Sequence, residues 1–310
     1  MNKSMRLALK ALSYVEMDMT KAYKIKRQVD NIASPRIKSA YKLWDHRITG
    51  EENDIDVRIF LPNSKKNKKK AIIFFHGGGW VVGNIDTYSK ICDNMAKQTG
   101  HIVVSVDYRL APENKFPKGL EDCYTVTQEI FSDKRFFNID LDDITIVGDS
   151  AGGNLAAAVS LMARDRGGYI PKKQILIYPA LWNDYTENSI YQSVHDNGKE
   201  FLLTSQRLCD YMKLYINDEE DLSNPYLAPL LADDLSNQPE TLIITAEYDP
   251  LRDEGEEYAE RLKQAGNIVK TYRMKDALHG FIALPKHFIH VKRAYEQIND
   301  FLNKEGNSPE

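Results

Sequence analysis

Cysteine is scarce in this chain. Cys92, Cys123 and Cys209 are its only three, an odd and widely spaced set that supplies neither a disulfide framework nor a CxxC redox or metal motif. They read as small buried or half-buried thiols. Long apolar runs are missing as well. Arg6 and Lys10 interrupt the stretch from Met5 to Leu12, leaving no signal-peptide core, and no run of about 18 apolar residues occurs elsewhere. The expected setting is therefore the cytoplasm, with no membrane insertion. An excess of positive charge is absent too: 41 Lys and Arg stand against 45 Asp and Glu, a net charge of −4, which excludes the basic footprint of a nucleic-acid binder. The one dense charge run, Lys65, Lys66, Lys68, Lys69 and Lys70, reads as a solvated turn. No His-Glu-x-x-His occurs, and the pair His287 and His290 lacks a companion ligand, so no metal is expected.

What is present is ordinary globular material, 42% hydrophobic and 28% charged over 310 residues, enough for one large α/β domain. Short β-rich apolar runs recur with helical patterns between them, the mark of a parallel sheet with crossover helices. The runs are Asp56–Leu61, Ala71–Phe75, Ile102–Val106, Ile144–Val147, Gln174–Tyr178, Thr241–Ala246 and Ile268–Arg273, with a further strand near Ala40–Ile48. Only Ser64–Lys70 separates the run at Asp56–Leu61 from that at Ala71–Phe75, too little for a crossover, so those two are expected to pair antiparallel at one edge. The spacing of Val291, Tyr295, Ile298 and Leu302 predicts a terminal helix packed on the sheet. Two segments fall outside the alternation: residues 1 to about 34, with Ala8, Ala11, Leu12 and Val15 on one face, and about 182–222, with Leu208, Tyr211, Met212 and Tyr215 likewise. They are expected to form a cap on a single domain spanning 1–310.

Ile144–Val147 runs into Gly148-Asp149-Ser150-Ala151-Gly152, and an alanine-rich helix follows. This Gly-x-Ser-x-Gly lies in the strand–turn–helix setting that makes a serine nucleophile: the sharp turn exposes the hydroxyl, and only glycines let strand and helix approach closely enough. The serine also sits at a helix N-terminus, where free N–H groups favour developing negative charge. After Ala71–Phe75 comes His76-Gly77-Gly78-Gly79-Trp80. Three glycines at a strand end imply an unusual backbone path or a close approach to a ligand, and for a hydrolase that ligand is an oxyanion needing donors about 2.7–3.1 Å away. Gly77, Gly78 and Ala151 are assigned as those donors. A phosphate loop is disfavoured, since neither GxGxxG in register nor GxxxxGK[ST] occurs. His76 abuts the glycines and suits a bracing role.

A serine hydroxyl needs a neutral imidazole to take its proton, and the imidazole a carboxylate to fix its tautomer. Four of the seven histidines follow Ser150: His195, His279, His287 and His290. Only His279 sits just after the last β run, so it is the expected base. The acid belongs at the end of the preceding strand, where Asp249 is preferred and Asp253 is the alternative, the latter reading as a helix-start residue.

Together His76-Gly77-Gly78-Gly79, Tyr108-Arg109-Leu110-Ala111-Pro112-Glu113, Gly148-Asp149-Ser150-Ala151-Gly152-Gly153, Asp249-Pro250-Leu251-Arg252-Asp253 and His279-Gly280-Phe281 resemble the hormone-sensitive-lipase-like esterases, the bacterial family IV carboxylesterases. The resemblance spans about two-thirds of the chain. It implies an α/β-hydrolase fold with an eight-stranded, mostly parallel sheet and a helical cap, no cofactor, Ser150, Asp249 and His279 as triad, and Gly77, Gly78 and Ala151 as oxyanion donors. The activity it implies is hydrolysis of short-chain acyl esters of small molecules. An amidase or deacetylase on the same triad, or a non-catalytic small-molecule-binding protein of the same fold, are the alternatives, and a homodimer is left open.

Overall fold

Alternation within the central strands decides the architecture. In β3 (Ala71–Phe75), Ile72 and Phe74 enter one hydrophobic layer while Ala71, Ile73 and Phe75 enter the other, and all five are buried. Both faces of a parallel strand flanked by helices are covered, which is why the sequence shows an unbroken apolar run there. The structure is a computed structural model that describes residues 18–33, 43–50, 52–62, 70–132 and 139–303.

The sheet has eight strands: β1 (Leu43–Thr49), β2 (Asp54–Phe60), β3, β4 (Ile102–Val106), β5 (Ile144–Asp149), β6 (Lys173–Ile177), β7 (Glu240–Tyr248) and β8 (Val269–Leu278). Their order is β1-β2-β4-β3-β5-β6-β7-β8. β2 is antiparallel to β1 and to β4, and every other pairing is parallel, which is the mixed edge the sequence suggested. The partner differs from the expected one. The run at Asp56–Leu61 does not pair with Ala71–Phe75, because the chain leaves β3 through α2 (Ser89–Thr99) and returns as β4 in the place between them. Neighbours in sequence are neighbours in a sheet only when no later strand inserts.

One layer is covered by α2, through Cys92, Met95 and Ala96, and by α8 (Ile289–Asn303), through the predicted stripe of Val291, Tyr295, Ile298 and Leu302. Burying each Val, Ile, Leu or Met side chain among these contributes about 1.5–3 kcal/mol. The other layer is covered by α3 (Lys118–Ser132), α4 (Ala151–Asp165) and α7 (Arg252–Gln264).

All parallel strands end at the same edge, and the loops that carry chemistry leave from there. Above it lie α1, the described part of the first segment that breaks the alternation, and the second such segment. α1 (Met19–Ala33) meets α6 (Ser205–Tyr215) where the N–H of Met19 donates to Asp210 Oδ2 at 2.9 Å. α6 buries Leu208, Tyr211, Met212 and Tyr215, the face read from the sequence. Arg27 of α1 reaches down to the carbonyls of Val81 and Ala111, both at 2.7 Å. The expected helical face at Ala8, Ala11, Leu12 and Val15, and Lys65, Lys66, Lys68 and Lys69 of the charge run, lie outside the described residues. Among the described residues no helix is long and apolar enough to cross a membrane, and no group of three or more His, Cys, Asp and Glu could hold a metal ion.

Candidate active site

The turn from β5 into α4 leaves Ser150 at φ 55° and ψ −121°, a backbone region that costs a non-glycine residue on the order of 1–3 kcal/mol and persists only where the surroundings impose it. Here they do. Ser150 N–H donates to Ile177 O at 2.9 Å, and its carbonyl accepts from Asn154 and Ala180. A Cβ on Gly152 would lie 2.0 Å from Phe75 O, so only glycine lets α4 start against the end of β3.

His279 follows β8 directly. Its Nε2 lies 2.9 Å from Ser150 Oγ, and its Nδ1 lies 2.8 Å from Asp249 Oδ2. Asp249, one residue past β7, is fully buried, and its other oxygen accepts the N–H of Leu251 at 3.0 Å. An ionised carboxylate only accepts, so Nδ1 carries the imidazole proton and Nε2 is left free to accept from the serine hydroxyl. The sequence-assigned serine, histidine and aspartate thus form one hydrogen-bonded chain. Asp253 turns away from the imidazole: Oδ2 accepts the N–H of Ser193, in α5 (Gln192–Asn197), at 2.7 Å, and Oδ1 pairs with Arg252. Asn197 of the same short helix donates to Asp249 O at 3.3 Å.

The glycine loop is held peptide by peptide. Gly77 N–H donates to Asp149 Oδ1 at 2.8 Å, while Tyr108 OH donates to His76 O across the same peptide at 2.7 Å. His76 Nδ1 donates to Gly77 O at 2.8 Å. Gly78 O accepts from Val81 and Val82. In a trans peptide the carbonyl and the next N–H point in opposite directions, so fixing Gly77 O and Gly78 O aims the N–H groups of Gly78 and Gly79. No described residue accepts from these two, and Ala151, at the first position of α4, has no intrahelical acceptor either. This corrects one assignment: the Gly77 N–H, expected to serve an oxyanion, is committed to a carboxylate, and the last of the three glycines, Gly79, has a free donor in its place. Pattern alone cannot say which two of three glycines turn their N–H groups outward.

His76 is the brace its position suggested. It is fully buried and stacked on Tyr108 at 4.3 Å between ring centroids, and burial pushes its imidazole down to about 4. The sequence reading overlooked three residues. Asp149 stands between the two glycines of the elbow with its carboxylate under the loop. Tyr178 lays its ring 4.6 Å from that of His279. Glu254, fully buried in α7, accepts from Leu181 N–H at 2.6 Å and Tyr185 OH at 3.1 Å, and desolvation holds its carboxyl well above the usual range.

The chain matches the profile of the α/β-hydrolase fold family over residues 72–283. An arylesterase of Saccharolobus solfataricus is 39% identical over 243 residues, 78% of each chain. The carboxylic ester hydrolase LipN of Mycobacterium tuberculosis is 38% identical over 248 residues, covering 77% of this chain and 64% of that protein. Among solved structures, a hyperthermophilic esterase from the archaeon Pyrobaculum calidifontis superposes with a TM-score of 0.87 at 34% identity, over 97% of both chains.

Proposed function

The chain belongs to the α/β-hydrolase family, in its hormone-sensitive-lipase-like branch, and is a carboxylic ester hydrolase; on that premise we propose that it is a serine esterase for short-chain acyl esters, with Ser150 as nucleophile, His279 as base and Asp249 as orienting acid. The observation that carries the assignment of roles is the chain from Ser150 Oγ to His279 Nε2 at 2.9 Å and on from Nδ1 to Asp249 Oδ2 at 2.8 Å.

In this mechanism Ser150 Oγ attacks the ester carbonyl carbon as its proton passes to His279 Nε2, and the carbonyl electron pair moves onto oxygen. The N–H groups of Gly78, Gly79 and Ala151 face that oxyanion, Gly79 taking the place first given to Gly77. Collapse expels the alcohol, which takes the proton from His279 and leaves an acyl-serine. Water, deprotonated by the same Nε2, then releases the acid and regenerates Ser150. Asp249 stays ionised throughout and stabilises the imidazolium formed twice in the cycle. The cap in this reading consists of α1 and the 182–222 segment, which bound the acyl pocket. Three free cysteines support a reducing, cytoplasmic setting. The test is a rapid-mixing measurement with p-nitrophenyl acetate. A burst of p-nitrophenol, abolished in Ser150→Ala, is expected; undiminished turnover in that variant would overturn the reading.

A further inference from the structure

We propose that Asp149 is a positioning residue for hydrolysis, its buried carboxylate tying the glycine loop and the ring behind the imidazole to the nucleophile turn. The proposal rests on the roles assigned to Ser150, His279 and the loop N–H groups. Asp149 ends β5, directly before Ser150, and is 4% exposed. Oδ1 accepts the Gly77 N–H at 2.8 Å, and Oδ2 accepts the hydroxyls of Tyr88 at 3.2 Å and Tyr178 at 3.3 Å.

Each of the three donors leads to a different working part. The Gly77 N–H belongs to the peptide that begins the loop. With Tyr108 OH on the carbonyl of that peptide, its plane is fixed from both sides, one residue before the first free donor, Gly78. Tyr178 leads to the base: its ring lies 4.6 Å from His279 and meets Phe281 edge-on at 5.1 Å. Tyr88 leads to the brace, its ring 5.2 Å from His76, which holds Gly77 O. One carboxylate therefore sets the donors, the base and the brace relative to the serine that follows it in the chain.

Packing alone does not call for a carboxylate here. Burying one costs several kcal/mol unless hydrogen bonds compensate, and burial pushes this carboxyl up to about 6 against the opposing pull of the Gly77 N–H. An apolar side chain would avoid that cost but leave the Gly77 N–H and the hydroxyls of Tyr88 and Tyr178 without this acceptor. Oxyanion stabilisation, however, depends on donors being in place before the charge develops, and that requirement explains an acceptor at this position.

The test uses Asp149→Ala and Asp149→Asn in the full chain with p-nitrophenyl acetate, beside Ser150→Ala. Asp149→Ala is expected to lower kcat roughly tenfold to a hundredfold, less than deleting a donor outright, with KM within about threefold, because the donors act on the transition state. Asp149→Asn keeps a carbonyl oxygen for Gly77 N–H and is expected to recover most of the loss. A trifluoromethyl ketone, which forms a tetrahedral adduct, should weaken in parallel with kcat/KM. If Asp149→Ala does not fold, Tyr88→Phe combined with Tyr178→Phe removes two of the three donors while keeping both rings, and kcat should fall at least about threefold. The proposal is overturned if Asp149→Ala or the double Phe variant keeps kcat within about twofold, if the loss lies in KM, or if Asp149→Asn fares no better than alanine. An active Ser150→Ala would instead sink the esterase mechanism itself, so the two failures are distinguishable.

Discussion

The ring of Tyr211 in α6 lies against Gly79: a Cβ on that glycine would fall 2.4 Å from Cγ of the ring. Beside it, Tyr215 stacks on Trp80 with centroids 4.6 Å apart and planes within 2°. The helix over the site thus presses on the loop whose N–H groups are proposed to face the reacting carbonyl. Tyr211→Phe keeps the ring and is expected to be near wild type, whereas Tyr211→Ala frees Gly79 and should lower kcat about tenfold. Steady-state rates on p-nitrophenyl acetate decide it; equal rates in the two variants would show that the ring does not hold the loop.

Ser150→Ala, His279→Ala and Asp249→Asn should each lower kcat by about 10⁴ or more, and combining them should add little, because the three act as one unit. Asp253→Asn is expected to remain within about tenfold of wild type, since Asp253 holds Ser193 rather than His279. If Asp253→Asn were inactive while Asp249→Asn kept near-normal kcat, the acid would have been misassigned.

Acyl length gives a separate check. Each added methylene gains about 0.8 kcal/mol while the pocket can bury it and nothing beyond, so kcat/KM on p-nitrophenyl esters from acetate to palmitate should rise briefly and then fall past about six carbons. An optimum at about ten carbons or more, or a jump in rate on an emulsified triglyceride, would mark a lipase instead.

His76 yields a pH effect of definite sign. Its folded-state value is pushed down to about 4, whereas an unfolded histidine titrates near about 6.5. The unfolded chain therefore gains a proton that the folded chain refuses as pH falls through this window. The stabilisation is complete above about pH 6.5 and is lost toward pH 4, about 3 kcal/mol in total. Asp149 and Asp107, both pushed up to about 6 by burial, act in the opposite sense, since folding retains their protons between about pH 4 and 6. Comparison with His76→Asn, which keeps a donor for Gly77 O, isolates the histidine. The wild-type advantage in melting temperature should shrink between pH 7 and 4.5, and a constant difference would contradict the assignment.

The serine, histidine and aspartate were legible because each sits where a strand ends, and strand ends announce themselves by a switch from apolar to Gly, Asp or Pro. The sheet was legible for the same reason, down to its antiparallel edge. Its strand order was not, because insertion of β4 between β2 and β3 leaves no local mark on either. The role of Gly77 was hidden for a related reason: whether an N–H points at substrate or at Asp149 depends on a contact 72 positions away. Tyr178 and Glu254 resembled any other buried residues until the fold placed the imidazole beside one and the Leu181–Tyr185 segment on the other.

The short helix α5 is tied to the turn that carries Asp249 by four hydrogen bonds: Ser193 N–H to Asp253 Oδ2, Ser193 Oγ to Pro250 O at 2.7 Å, Asp253 N–H to Ser193 Oγ at 3.2 Å, and Asn197 to Asp249 O. The segment proposed to bound the acyl pocket is consequently fastened to the residue proposed to orient the base, and on that reading the two cannot be exchanged as independent modules. A chimera given a foreign segment between β6 and β7 inherits a new pocket and, unless serine and asparagine equivalents come with it, a loosened acid as well.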